Sequence, residues 1–220
     1  MKIVTPGFTI EDAIDGEEML RRIERAGRTC YKSEDRITPE SARAFVAMLI
    51  KWGHESVLEH EKITVRIVCD RGVTHELVRH RIASYSQEST RYCNYGKEIQ
   101  VVQPSFFNEE EPIREVIAPD GVTALPINKL VVWAMAMQCC EWAYTNLLAL
   151  GATPQEARSV LPNSLKTEIV TTMNLREWRY FFRLRTAPAA HPQMREIACP
   201  LLEEFKRRIP EVFDDIGGTS

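Results

Sequence analysis

A chain of 220 residues with 44% hydrophobic and 27% charged residues has ordinary globular composition and suits one domain, or one domain with elaborations. Its net charge of −3 argues against a general nucleic-acid binder, which usually carries a basic excess, and fits local basic clusters that take small anions. The most apolar run, Leu130 to Met137, is bounded by Lys129, Gln138 and Glu141 and is too short to span a bilayer.

The start Met1-Lys2-Ile3-Val4 lacks a charged segment followed by an apolar one, so no signal peptide is expected. Six cysteines without C-x-x-C spacing read as reduced thiols of a cytoplasmic protein. Asp12 to Ala26 predicts an amphipathic helix with Ala13, Met19, Ile23 and Ala26 inward. Gly27 is expected to end it, leaving Arg28 to Ser33 as a polar turn. Thr38-Pro39-Glu40 has the makings of a helix start, followed by an apolar face of Ala42, Phe45, Val46, Leu49 and Ile50 and a stop at Gly53. His54-Glu55-Ser56-Val57-Leu58-Glu59-His60 has its histidines too far apart for a zinc H-E-x-x-H, so no metal is expected.

Lys62 to Asp70 alternates as a half-buried strand, with Ile63, Val65, Ile67 and Cys69 on one side. A helix then carries Val73, Leu77, Val78 and Ile82 as its stripe, with His75, Glu76 and Arg79 off it. Arg81 falls inside that stripe, so either the helix ends before it or its charge enters the interior with a partner. Lys97 to Gln103 predicts another strand. Pro104, Pro112, Pro119 and Pro126, with Glu109-Glu110-Glu111, mark a surface excursion. Ile127 to Leu150 is a long helix, apolar nearly all round, capped by Gly151; such a helix is central to its domain or covered by another subunit.

Pro154 to Leu161 is a short helix containing Arg158, and Leu165 to Met173 alternates as a second strand. Asn174 caps a helix in which Trp178, Phe181 and Phe182 alternate with Arg176, Arg179, Arg183 and Arg185. Pro188 to Ile209 is a final helix, and the Gly217-Gly218 tail is expected to be disordered. Together these elements predict an α+β fold in a single domain over 1–220: a small antiparallel sheet, several surrounding helices and one long central helix.

Chemistry concentrates in Arg79-His80-Arg81-Ile82-Ala83-Ser84-Tyr85-Ser86-Gln87-Glu88-Ser89-Thr90-Arg91. Arginine forks with serine hydroxyls and amides suit an anion cradle. Arg158 and Arg185 extend the set. No G-x-G-x-x-G, G-x-x-x-x-G-K-[ST] or G-x-S-x-G occurs, so a dinucleotide fold, P-loop NTPase or lipase-type hydrolase is not expected.

Arg79-His80-Arg81-x7-Ser89, continued by Arg91-Tyr92, resembles the signature of the flavin-dependent thymidylate synthases. Gly53-His54-Glu55-Ser56 with Glu59-His60, Ala157-Arg158-x-Val160-Leu161-Pro162, and Asn174 with Leu184-Arg185 and His191 are similar to further elements of that family, in the same order. The resemblance implies a homotetramer with FAD at subunit contacts. It implies conversion of dUMP to dTMP, with methylenetetrahydrofolate as carbon donor and NADPH as reductant. By position, Arg79, Gln87, Glu88, Ser89, Arg91, Arg158 and Arg185 would hold dUMP, with Glu76 where the family often has Gln. Ser56, Arg79, His80, Arg81, Asn174 and His191 would contact FAD. Arg185, His54 and Ser89 would serve the reaction, Arg185 by stabilising charge that develops on the uracil. Ser89 has no evident base beside it and reads as a nucleotide anchor rather than a nucleophile. Two other readings compete: an RNA-binding module stacking bases on Tyr85, Tyr92 and Tyr95, and a non-flavin nucleotide transferase using the same arginines.

Overall fold

The computed structural model describes residues 1–108, 110–118 and 120–217. In chain order the elements are β1 (Lys2–Ile3), β2 (Gly7–Ile10), α1 (Gly16–Tyr31), α2 (Ser41–Lys51), β3 (Lys62–Asp70), α3 (Arg71–Leu77), β4 (Ala83–Gln87), β5 (Gln100–Val101), β6 (Arg114–Ile117), β7 (Ala124–Ile127), α4 (Lys129–Ala149), α5 (Pro154–Ala157), β8 (Lys166–Asn174), α6 (Leu175–Arg185), α7 (Pro192–Arg208) and α8 (Pro210–Phe213). The α+β class is as predicted. A four-stranded sheet has the order β2-β3-β8-β4. β6 and β7 pair antiparallel, while the short β1–β5 pair is parallel, Lys2 against Gln100 and Ile3 against Val101.

The described residues form two compact units. The second comprises Gly7–Ile67, His75–Ser86 and the chain from Ile169 onward. Here β3 and β8 bury the predicted alternating set, Ile63, Val65, Ile67, Ile169, Thr171 and Met173. α1 begins at Gly16 because the Asp15 side chain accepts the Glu18 N–H at 3.1 Å. It runs through Gly27, contrary to the sequence expectation, and stops where Lys32 takes a left-handed φ of 46°. The supposed polar turn is thus its last turn.

Gly27 is a contact point: a Cβ there would lie 2.7 Å from the Phe45 ring on α2. Gly27→Val is expected to destabilise the protein by about 2 kcal/mol through overpacking, more than helix propensity returns; urea denaturation checks this. α2 starts at Ser41 rather than at Thr38, since Ser41 Oγ closes a turn with the Thr38 N–H (2.9 Å) and also donates to Glu24 Oε2 (2.8 Å). Its buried face is Ala42, Phe45, Val46 and Leu49, the predicted set except for Ile50, which is only half-buried.

α3 stops at Leu77, leaving Val78 and Ile82 exposed rather than in an apolar stripe. The Tyr85 hydroxyl lies 2.8 Å from the Leu77 and His80 carbonyl oxygens and ties the chain just past the helix end. Arg81 is therefore on exposed chain beyond the helix. Asn174 caps α6, accepting the Glu177 N–H at 2.8 Å. Trp178, Phe181 and Phe182 pack with Phe205 and Phe213, and Trp178 Nε1 donates to Ile63 O at 3.0 Å. Arg179, which in sequence alternates with the aromatics like the other arginines of α6, is fully buried. α7 starts at Pro192, later than predicted.

The first unit comprises Met1–Pro6, Val68–Thr74 and Gln87–Glu168. Its core holds Ile99, Val101, Trp133, Met137, Tyr144, Ala157 and Leu165. α4 is shorter than predicted and buries fully only Trp133, Met137 and Tyr144, while Val131, Val132, Met135 and Trp142 are exposed. The predicted strand at 97–103 contracts to β5. The excursion holds the β6–β7 hairpin, in register from Arg114↔Ile127 to Ile117↔Ala124. Glu109 and Pro119 of that excursion, and Gly218 of the tail, lie outside the described residues. No helix among the described residues is long and apolar enough to cross a membrane.

Candidate active site

In the second unit the end of α3 meets the end of α6. Arg185, the last residue of α6, is held from three directions. Its Nη1 lies 2.5 Å from Glu76 Oε2, its Nη2 donates to Glu76 O at 2.9 Å, and its Nε donates to His80 Nε2 at 3.1 Å. The side chain keeps only 13% exposure. On the other side of the imidazole, Nδ1 stands 3.2 Å from Glu177 Oε1. A guanidinium can only donate, so Nε2 must be an acceptor and Nδ1 must carry the proton toward Glu177. The contacts thus select one neutral tautomer.

Burial, and secondarily the Arg185 charge, depress the His80 pKa from 6.5 to about 4. Because the folded value is below the unfolded one, this histidine contributes stability above pH 6.5 that is lost as pH falls toward 4. Between pH 7 and pH 5 the loss from this one group is about 2 kcal/mol. His80→Gln should remove that component, seen as a flatter pH dependence of the urea midpoint. Burial also pushes the Glu177 carboxyl up. With both nitrogens engaged and 2% exposure, the His80 ring offers no free nitrogen to a ligand. The flavin contact expected of it from the resemblance would have to be made another way.

Arg79 and Arg81 are exposed. A cleft of about 450 Å³ is lined by Glu55, Glu59, Ile82, Asn174, Arg176, Glu177, Tyr180 and Arg183. Arg176 pairs with Glu59 at 2.5 Å and Arg183 with Glu55 at 2.7 Å. Ile82 and Tyr180 are more than half exposed. Exposed apolar and aromatic surface there suits a planar ring system, and its two arginines are already paired with carboxylates. His54 is exposed, with Nδ1 3.3 Å from the Tyr31 hydroxyl and its ring edge-on to Trp52. Ser56 is exposed in the turn after it. His191 is exposed at the N-cap position of α7.

In the first unit, Gln87 Nε2 donates toward Thr74 Oγ1 (3.2 Å) and Thr167 Oγ1 (3.3 Å). The Glu88 carboxylate accepts from Tyr95 OH at 2.8 Å and pairs with Lys166 at 3.3 Å. Glu88 therefore pins its own segment rather than presenting a free carboxylate. Ser89 Oγ accepts the Arg91 N–H at 3.3 Å, a donor and not a base. Arg91 donates to Gln155 Oε1 at 3.2 Å and lies over the Tyr92 ring. Arg158 follows α5, whose start is a complete capping box of Thr153 and Glu156; it is exposed. Among the described residues the guanidinium groups of Arg79, Arg81 and Arg158 have no hydrogen-bond or ion-pair partner.

The structure brings Glu76, His80 and Arg185 together in one unit and Gln87, Glu88, Ser89 and Arg91 into a short segment of the other. The sequence reading assigned no site role to Glu177 or Arg176. Asn174-x-x-Glu177 reads only as a helix start, and its partner His80 is 97 residues away in sequence. Exposed guanidiniums without a protein partner, such as those of Arg79 and Arg81, can take phosphate-bearing anions.

Comparison with known proteins makes the class specific. Residues 14–211 match the family model described as thymidylate synthase complementing protein. A flavin-dependent thymidylate synthase from Corynebacterium efficiens is 33% identical over 217 residues, 96% of this chain and 85% of that protein. Its counterpart from Geobacter sulfurreducens is 36% identical over 200 residues, 87% and 79% of the two chains. The crystal structure of the UMP/dUMP methylase PolB from Streptomyces cacaoi, bound with 5-Br UMP, superposes with a TM-score of 0.73 at 21% identity, over 97% of this chain and 95% of that one. The chain belongs to the flavin-dependent thymidylate synthase family.

Proposed function

We infer that this enzyme methylates dUMP to dTMP, with methylenetetrahydrofolate as carbon donor, FAD as bound cofactor and NADPH as reductant. Family membership over most of the chain supports the reaction. The observation that carries it at residue level is the clamped Arg185. A cation held by fixed partners is what charge developing on a pyrimidine ring requires.

The flavin supplies hydride chemistry when bound; the chain's residues bind, orient and polarise. We assign to the nucleotide Gln87, Ser89, Arg91 and Arg158 of the first unit and Glu76, Arg79 and Arg185 of the second. In a homotetramer such sets are contributed by different subunits. The exposed apolar residues of α4 supply surface for that assembly. To FAD we assign Ser56, Arg79, Arg81, Asn174 and His191, with His54 beside the ring. The cleft residue Tyr180 adds an aromatic face. A cytoplasmic location fits a chain with six free cysteines.

Purified protein is expected to be yellow, to bleach with NADPH, and to form dTMP from dUMP only when methylenetetrahydrofolate is present. Colourless protein that takes up no FAD would overturn the reading. Ser89→Ala is expected to raise the dUMP Kd about tenfold, the loss of one hydrogen bond to a charged group, with a smaller change in kcat. Abolished turnover with unchanged Kd would make Ser89 a nucleophile instead.

A further inference from the structure

We propose that Glu177 and His80 are positioning residues for Arg185, forming a one-directional relay in which Glu177 holds the imidazole proton on Nδ1 so that Nε2 accepts from the guanidinium. The proposal rests on the dUMP-methylating reading, since it concerns the cation that reading assigns to the pyrimidine. The two contacts, 3.2 Å and 3.1 Å, lie on opposite nitrogens of one ring. That ring is 2% exposed and is set edge-on between Tyr180 and Phe181. It is therefore packed to act on Arg185 rather than on solvent. Glu76 holds the far side of the same guanidinium, and the Tyr85 hydroxyl holds the His80 carbonyl. Among the described residues, the charged and titratable side chains against the imidazole are Arg185, Glu177 and Tyr180, with Glu76 beyond the guanidinium and Tyr85 at the His80 carbonyl.

The direction of the relay has a consequence. Any tautomer with a proton on Nε2, or the imidazolium, would present a donor to a donor and push Arg185 away. Burial and the Arg185 charge already keep the ring neutral near pH 7.

Nitrogen-15 NMR of histidine-labelled protein at pH 7 reads the tautomer directly, with the His80 signals assigned by their loss in His80→Gln. One protonated Nδ1 and one unprotonated Nε2 are expected; a protonated Nε2 overturns the relay. His80→Gln keeps an acceptor near the Nε2 position, and His80→Asn keeps only a donor near Nδ1. The first is expected to retain kcat within about fivefold, and the second to lose about 100-fold, with flavin content and dUMP Kd close to wild type in both. Equal kcat in the two variants, or loss of flavin from both, overturns the proposal. Glu177→Leu should depress kcat like His80→Asn and Glu177→Gln should restore it, which covers the case in which His80 variants fold poorly. Wild-type protein that makes no dTMP would defeat the functional reading, while the tautomer measurement still decides the relay on its own.

Discussion

Arg179→Met is expected to destabilise the protein by about 3 kcal/mol, because breaking a buried ion pair leaves charge without compensation. Arg179 has 0% exposure and donates to both Asp215 oxygens at 2.7 Å, to Glu55 at 3.1 Å and to the Val212 carbonyl. Burial pushes the Glu55 carboxyl up, but Arg183 and Arg179 outweigh it and hold it below its ordinary value. Burial acts the same way on Asp215, and Arg179 again outweighs it. Methionine fills the space and leaves two carboxylates and one carbonyl short of donors. Asp215 is half exposed and rehydrates cheaply; Glu55, at 15% side-chain exposure, keeps only Arg183. Arg183→Met provides the control. Arg183 pairs with the same acids but is 47% exposed, so its loss should cost within about 0.5 kcal/mol. Urea unfolding of both variants checks the contrast. Equal midpoints would mean that Arg179 is no more than a filler of volume.

That same arginine shows where sequence reading stops. Read along α6, Arg176, Arg179, Arg183 and Arg185 are four equivalent charges spaced around an aromatic stripe. Only the packing of α8 and Asp215, some 36 residues downstream, pulls one of them inside. The strands were legible because β3 and β8 alternate with the period of the pleat, and every predicted inward residue is buried. Helix ends were less so. Gly27 looks like a stop, yet it is where α1 meets the Phe45 ring. Val78 and Ile82 continue an apolar stripe on paper, but the Tyr85 hydroxyl ties the Leu77 and His80 carbonyls at a turn that periodicity cannot reveal. At the candidate site, residue types and spacing identified the Arg-His-Arg cluster. They could not show that its three side chains have different fates, with the arginines exposed and the histidine buried against Glu177. That division is tertiary, set by contacts about a hundred residues apart in sequence.

Arg185→Lys carries the largest expected loss of activity. A guanidinium reaches His80 Nε2, Glu76 Oε2 and Glu76 O together because its donors lie in one rigid plane. An ammonium on a flexible stem presents three rotatable donors and cannot hold those directions at once. Glu76, at 34% side-chain exposure, can rehydrate, so the cost to stability should stay near 1 kcal/mol. The role proposed for Arg185 predicts a far larger cost to catalysis, because a polarising cation displaced by even an ångström would no longer meet the charge that develops on the pyrimidine. A loss of about 10² to 10³ in kcat is expected, with dUMP affinity reduced less than tenfold. The rate of dTMP formation under saturating dUMP and methylenetetrahydrofolate, with dUMP affinity titrated separately, distinguishes the two effects. A large rise in Kd with unchanged kcat would make Arg185 a substrate anchor rather than the polarising cation. Wild-type rates in both would remove it from the site.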